Sequence, residues 1–282
     1  MSVETPDELP AIAFLGAGSM ARAILAGLLD SGVVVEGGIR ATNRSAERAA
    51  ELDALGVAGF ATETDADANR LAVAGAKLVV VAVKPAGVPA LLDEIADALE
   101  PGTVVVSVAA GVTVATFESR LPEHVSAVRT MPNTPALVKR AVTGVSPGTR
   151  STERDLELVV SLFETVGEVL VVPESQLDAL STISGSGPAY VFLLIEELTK
   201  TAVAKGFSPE QAATMVQGTF RGATELLATS DGDPAELRRR VTSPKGTTER
   251  AIAVLEEADL SGLFDRATDA ALARARELAA GA

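Results

Sequence analysis

A chain of 282 residues with 47% hydrophobic but only 3% aromatic side chains can bury a sizeable core, and that core has to be Ala, Val and Leu. Its 38 acidic against 24 basic residues leave a net charge of −14, which argues against nucleic-acid binding and against an anionic membrane surface, and which suits a high-salt cytoplasm. With no Cys there are no disulfides or thiolate chemistry, and the only His, His124, reads as a surface-loop residue beside Pro122 and Glu123, so no metal site and no Ser-His-Asp triad stands out.

The acidic start, MSVETPDELP, is neither a signal nor a transit peptide, and no apolar run is long enough to span a bilayer. The expectation is a soluble, cytoplasmic protein. Pro10 to Leu15 reads as a first strand and Ser19 to Ser31 as a helix closed by Gly32. Between them lies Gly16-Ala17-Gly18-Ser19-Met20-Ala21, a Gly-x-Gly turn whose third fingerprint position is Ala21. A strand, a tight glycine turn and a helix N-terminus suit a pyrophosphate, because unpaired backbone N–H groups and the helix dipole favour its charge. Alone, such a turn is weak evidence.

Gly38 to Thr42 reads as the second strand, with Ser45 capping a helix over Ala46 to Leu55. Residues 57–60 are a short strand at most, and Thr62 is expected to cap a short helix reaching Ala74. The β-branched runs at Lys77 to Val83 and Thr103 to Val108 predict strands buried on both faces. Helices are expected at Ala86 to Leu99, Val114 to Arg120 and Thr152 to Val166, and further strands at Val125 to Thr130, Val142 to Ser146 and Glu168 to Val172. Strands alternating with helices predict a doubly wound α/β sheet. The turns at Gly16 to Ser19, Asn43 to Ser45, Val83 to Pro85 and Ala109 to Gly111 would then share the rim where such sheets bind ligands.

After Pro173 no strand is expected, and helices are predicted near 188–205, 209–228, 247–257 and 260–279, the second opened by Ser208-Pro209. Apolar residues around most of each helix suggest burial in a bundle or against a second subunit. The division is therefore a Rossmann-type dinucleotide domain over 1–172 and an all-helical domain over 173–282.

After the second strand stands Asn43-Arg44-Ser45, with no carboxylate for the ribose hydroxyls of NAD. A guanidinium and a hydroxyl there can meet a 2′-phosphate, which favours NADPH over NADH; a solvated surface Arg44 is the plainer alternative. In the helical half, Val241-Thr242-Ser243-Pro244-Lys245-Gly246-Thr247-Thr248 is a second glycine-containing turn before a helix. The N–H groups of Gly246 to Thr248 can hold a carboxylate, and the two Thr hydroxyls can reach a reacting group; an ordinary helix cap is the competing reading.

The ordered set GAGSMA (16–21), AVKP (82–85), SVAAG (107–111), MPNTP (131–135), SGSGPAY (184–190) and VTSPKGTT (241–248) resembles pyrroline-5-carboxylate reductase across nearly the whole chain. The resemblance implies a Rossmann domain followed by a helical dimerisation domain. It also implies NAD(P)H-dependent reduction of the C=N bond of 1-pyrroline-5-carboxylate to L-proline, the last step of proline biosynthesis. Homodimers that assemble further, to decamers, are implied too. By the same resemblance Gly16, Ala17, Gly18, Ser19 and Met20 would wrap the pyrophosphate, and Asn43, Arg44 and Ser45 the adenosine end. Asn69 would touch the cofactor, and Val83, Lys84, Ala109 and Ala110 would lie by the nicotinamide. Glu174 would sit near the substrate, together with Ser243. Gly246 and Thr247 would offer N–H groups to the carboxylate, and Thr248 would hydrogen-bond the ring nitrogen, with the turn contributed by a partner subunit. One departure is Lys245, where the family usually has Gly. The rivals are a β-hydroxyacid dehydrogenase or another imine reductase of this plan, and a non-catalytic NADP-sensing module.

Overall fold

Valine-rich segments form the centre of the sheet. The computed structural model describes residues 8–279; residues 1–7, which hold most of the acidic start, lie outside them, as do 280–282. The chain divides into two compact units, one of residues up to 186 with those from 272 on, the other Gly187–Ala271.

In chain order the first unit holds β1 (Glu8–Leu9), β2 (Ile12–Leu15), α1 (Ser19–Leu29), β3 (Val34–Val35), β4 (Ile39–Asn43), α2 (Ala46–Asp53), β5 (Ala58–Ala61) and α3 (Ala68–Val73). It continues with β6 (Leu78–Val81), α4 (Val88–Ile95), β7 (Val104–Ser107), α5 (Val114–Glu118), β8 (Ser126–Met131), β9 (Ala141–Pro147), α6 (Glu153–Glu164), β10 (Gly167–Val171) and α7 (Glu174–Leu180). A π turn at Ser181–Gly185 follows α7.

The main sheet has eight strands in the order β10-β9-β8-β7-β6-β2-β4-β5. The run from β8 to β5 is parallel, with the chain turning back from the β4 side to the β6 side of β2. That reversal is the crossover point at which doubly wound sheets bind ligands. Every residue of β2, β6 and β7 is buried, as a strand covered on both faces requires. Because successive side chains point to opposite faces, Ile12, Phe14, Leu78 and Val80 join one apolar core and Ala13, Leu15, Val79 and Val81 the other.

Caps close the helices where hydroxyls precede them. The Ser45 hydroxyl accepts from Arg48 N at the start of α2, and Thr152 and Asp155 form a reciprocal capping box on α6. Several features differ from the sequence expectations, among them α7, where no helix was expected. α3 begins at Ala68 after Asp67 rather than at a Thr62 cap, and its start carries no side-chain cap bond. β1 and β3 form an additional two-residue parallel ladder. β9 runs antiparallel to β8, and β10 pairs parallel with β9, so the last two strands run against the other six. Gly144 on β9 lets α7 pack closely on that strand, since a Cβ there would lie 2.7 Å from Leu180 and 2.8 Å from Leu177. The expected boundary near 172 and the end of the first compact stretch at 186 thus bracket α7 and the π turn.

The remaining helices are α8 (Gly187–Ala204), α9 (Pro209–Thr229), α10 (Pro234–Arg240), α11 (Thr247–Glu256) and α12 (Leu260–Ala279), of which α10 was not foreseen. Ser208 and Gln211 form a capping box on α9, with Pro209 at its first position. Among the described residues no strand follows β10, and no helix is long and apolar enough to cross a membrane.

Candidate functional site

The glycine turn closes β2 at the crossover point. Gly16 has φ +88°, and a Cβ on it would lie 2.8 Å from Val83 Cγ1 and 3.2 Å from Val83 N. Both the backbone angle and the close approach to the segment after β6 demand glycine. Thr42, the penultimate residue of β4, accepts from Gly16 N through its hydroxyl at 3.1 Å and from Ala17 N through its carbonyl at 2.7 Å. Asn43 donates through Nδ2 to Ala17 O at 3.0 Å, and Arg22 Nε reaches the same carbonyl at 3.2 Å. The turn is therefore fixed from β4, from the segment after β6 and from α1.

Helix α1 starts with Gly18 as N-cap, no side-chain cap bond and no acidic residue in its first turn. A Cβ at Gly18 would meet nothing within 4 Å. Open space at an uncapped helix N-terminus, with backbone donors and the positive end of the dipole, fits a pyrophosphate. Arg44 is exposed at the end of β4, and among the described residues its guanidinium forms no ion pair. Ser45 caps α2, and its hydroxyl is engaged there.

The other expected cofactor residues of this unit follow from the topology. Val83 and Lys84 follow β6 after Ala82, and Ala109 and Ala110 follow the neighbouring β7 after Val108, on the same rim as the glycine turn. Asn69 lies on α3, where its Nδ2 donates to both oxygens of the Glu94 carboxylate. Glu174 opens α7. Its Oε1 accepts from Val114 N at 2.7 Å and from Arg129 Nη1 at 3.3 Å. His124 precedes β8, at the opposite rim from the glycine turn, with Nε2 3.3 Å from Leu99 O. It is thus not available to chemistry at that turn. Among the described residues no group of three His, Cys, Asp or Glu can hold a metal ion.

The second unit contains the other turn. Gly246 is the N-cap of α11 with no side-chain cap bond, and its N–H donates to Ser243 O at 2.9 Å. Lys245 has φ +61°, the left-handed conformation in which glycine is favoured, and its N–H donates to Glu249 Oε2 at 2.8 Å. Most helical threonines of this unit bond back to a carbonyl four residues earlier, as Thr199, Thr214, Thr219 and Thr229 do. Thr247 and Thr248 do not: among the described residues neither hydroxyl has a hydrogen-bond partner, and Thr248 is half-buried. An uncapped helix start with two unengaged hydroxyls can receive a carboxylate and one further polar atom.

The fold's own residues extend the sequence-derived set. Thr42, Arg22 and Arg129 were not expected to matter. Thr42 and Arg22 hold the glycine turn, and Arg129 holds Glu174.

Comparison with known proteins decides the family. Residues 174–278 match the model described as pyrroline-5-carboxylate reductase dimerisation, and residues 11–111 the model described as NADP oxidoreductase, coenzyme F420-dependent. The chain is 40% identical to the pyrroline-5-carboxylate reductase of Pseudomonas aeruginosa, covering 96% of this chain and 97% of that one. It belongs to the pyrroline-5-carboxylate reductase family. The corresponding protein of Methanosarcina acetivorans is 36% identical over 95% of this chain and 97% of its own. A solved pyrroline-5-carboxylate reductase from Coxiella burnetii superposes with a TM-score of 0.88 at 37% identity, covering 95% of this chain and 97% of that one. The Plasmodium falciparum enzyme, solved with NADP bound, shares the fold at a TM-score of 0.80 and 24% identity, over 95% of this chain and 98% of that one. As a family member, the chain is an NAD(P)H-dependent oxidoreductase that reduces the C=N bond of 1-pyrroline-5-carboxylate to L-proline.

Proposed function

We propose that the two units divide this reaction between them, the α/β unit holding NADPH and the 243–248 turn holding the imine acid. The observation that carries this reading is the pair of uncapped helix starts, at Gly18 and at Gly246, each with its turn geometry fixed by neighbours. When bound, the dinucleotide supplies a hydride to the imine carbon.

The chain's own residues bind and orient. The first-turn amides of α1, from Ser19 onward, receive the pyrophosphate, and Arg44 receives a 2′-phosphate, which favours NADPH over NADH. The small residues Ala109 and Ala110, with Val83 and Lys84, flank the nicotinamide side. Thr247 donates its N–H to the substrate carboxylate beside Ser243, and Gly246 joins it once its N–H turns from the Ser243 carbonyl that it meets at 2.9 Å in the unliganded turn. The Thr248 hydroxyl hydrogen-bonds the ring nitrogen, which gains electron density as the carbon becomes sp³. Thr248 does not ionise; the imine is protonated in solution before it binds, and no His or Cys is needed as general acid. Asn69 and Glu174 support the site from α3 and α7.

The exposed apolar side chains of α8, among them Phe192 and Leu193, together with the match to a dimerisation model, support a homo-oligomer. We extend this to a homodimer whose partner contributes the 243–248 turn, assembling to a decamer. We also propose a cytoplasmic location, from a start that reads as neither signal nor transit peptide, and a salt adaptation suggested by the acidic composition, with stability expected to rise from low to molar salt.

The test is NADPH oxidation with 1-pyrroline-5-carboxylate against a panel of keto acids and 3-hydroxy acids. Turnover confined to the imine is the expected result. Oxidation of 3-hydroxy acids would favour the dehydrogenase rival, and cofactor binding without any turnover would favour a sensing module.

A further inference from the structure

Among the described residues Arg129 is the only buried charged side chain, with 5% of its surface exposed. It stands on β8 in register with Ser107 of β7, at the rim that carries the glycine turn. Its Nη2 donates to Asp178 Oδ1 at 2.6 Å and its Nη1 to Glu174 Oε1 at 3.3 Å. The two carboxylates lie one helical turn apart on α7. Glu174 Oε1 accepts a third group, the backbone N–H of Val114, at 2.7 Å.

Val114 is the first residue of α5, directly after the loop of Ala109 to Thr113. That loop is also tied at its other end, where Val108 N donates to Val81 O at 3.1 Å and Ala109 N to Ser107 Oγ at 3.3 Å. Removing a guanidinium from water is costly, and an apolar replacement is often as stable. Burial of this charge is therefore poor evidence for a purely stabilising role. What the triad does achieve is geometric: one cation orients a carboxylate on α7, and that carboxylate fixes the far end of the loop.

We propose that Glu174, oriented by Arg129, is a positioning residue that sets the Ala109–Thr113 loop through the Val114 N–H, rather than a group that touches the substrate. The proposal rests on the reading above that Ala109 and Ala110 flank the nicotinamide. The alignment of the nicotinamide against the imine then depends on a bond more than one residue removed from either.

Proline at the first position of a helix removes only the N–H. Thr113 already has the extended backbone that a following proline needs, at φ −79° and ψ 157°. Val114→Pro thus deletes the bond and leaves Glu174 in place, while Val114→Ala keeps the N–H and trims the same side chain. The expected result is a fall in kcat of about tenfold or more for Val114→Pro and Glu174→Ala, with KM for 1-pyrroline-5-carboxylate changed less than twofold. Val114→Ala should lose far less, and Glu174→Gln, which still accepts from the N–H, should recover much of the Glu174→Ala loss.

Equal losses in Val114→Pro and Val114→Ala, or an inert Val114→Pro, would overturn the proposal. So would a raised KM for the imine in both Glu174 variants, which is the signature of direct substrate contact. Ala110→Val separates the underlying reading: unchanged NADPH kinetics there would mean that the loop does not face the nicotinamide. A changed kcat in Ala110→Val beside an inert Val114→Pro would retain that reading and reject the role of Glu174.

Discussion

The two units differ in how they are held together. The α/β unit buries two extensive apolar cores, one on each face of its sheet. The helical stretch from 187 to 271 buries a cluster of only Ala202, Ala212 and Val216, with Ile195 and Phe220 packed against it. Phe192 is 66% exposed, and Leu193, Leu194, Leu198 and Val254 are exposed as well. Each fully buried side chain of this size contributes roughly 1.5–3 kcal/mol, so one half carries its own stability and the other lacks most of what a domain of its length needs. The first unit has cores of its own; the second leaves much of its apolar surface uncovered.

Apart from the 243–248 turn itself, the largest expected effect breaks the cofactor side. Gly16→Ala adds a Cβ within 2.8 Å of Val83 at φ +88°, and NADPH titrated by fluorescence should bind at least about tenfold more weakly. Next comes the incomplete half. Phe192→Glu places a charge on the exposed apolar surface of α8, and sedimentation should show the oligomer dissociating at about tenfold or more higher protein concentration. NADPH affinity should stay unchanged in that variant if, as proposed, the α/β unit alone holds the cofactor. If affinity falls in parallel with assembly, the contrast between the units is wrong.

Smaller changes sharpen the comparison. Lys245→Gly relieves a left-handed non-glycine residue in the helical unit and should raise stability by roughly 0.5–1 kcal/mol in denaturant titration. The smallest effect belongs to Glu164 at the end of α6, whose Oε2 is buried with no hydrogen-bond partner among the described residues and whose pKa is raised by burial. A carboxyl with a raised folded-state pKa binds its proton more tightly when folded. Its penalty is therefore absent below the ordinary carboxylate range and appears as pH rises through the raised value. Glu164→Gln should melt slightly higher than the parent at neutral pH and equal it in acid.

How much could be read in advance follows the same division. The strands Leu78–Val81 and Val104–Ser107 were legible because β-branched runs have few other fates, and Ser45 and Ser208 because a hydroxyl before a helix has a specific partner. Strand direction was not legible: nothing in the alternation of Ala141–Pro147 says that it runs against Ser126–Met131. The start of α3 was missed because Thr62 has the side chain of a cap, whereas the helix begins after Asp67 with no side-chain cap bond to signal it. Partners distant in sequence were invisible too. Arg129 reads as one polar residue in a strand, and only the fold brings it to Glu174 and Asp178. The 243–248 turn was legible as a motif, but the left-handed Lys245 and its bond to Glu249 needed coordinates.

The central claim is that cofactor and substrate are held by different units, with Thr248 acting on the imine. Thr248→Ala tests it most directly, with turnover of 1-pyrroline-5-carboxylate and NADPH affinity measured on the same preparation. The expected result is a loss of turnover of about hundredfold with NADPH binding unaltered. Turnover equal to the parent's, or NADPH affinity lost together with activity, would contradict it.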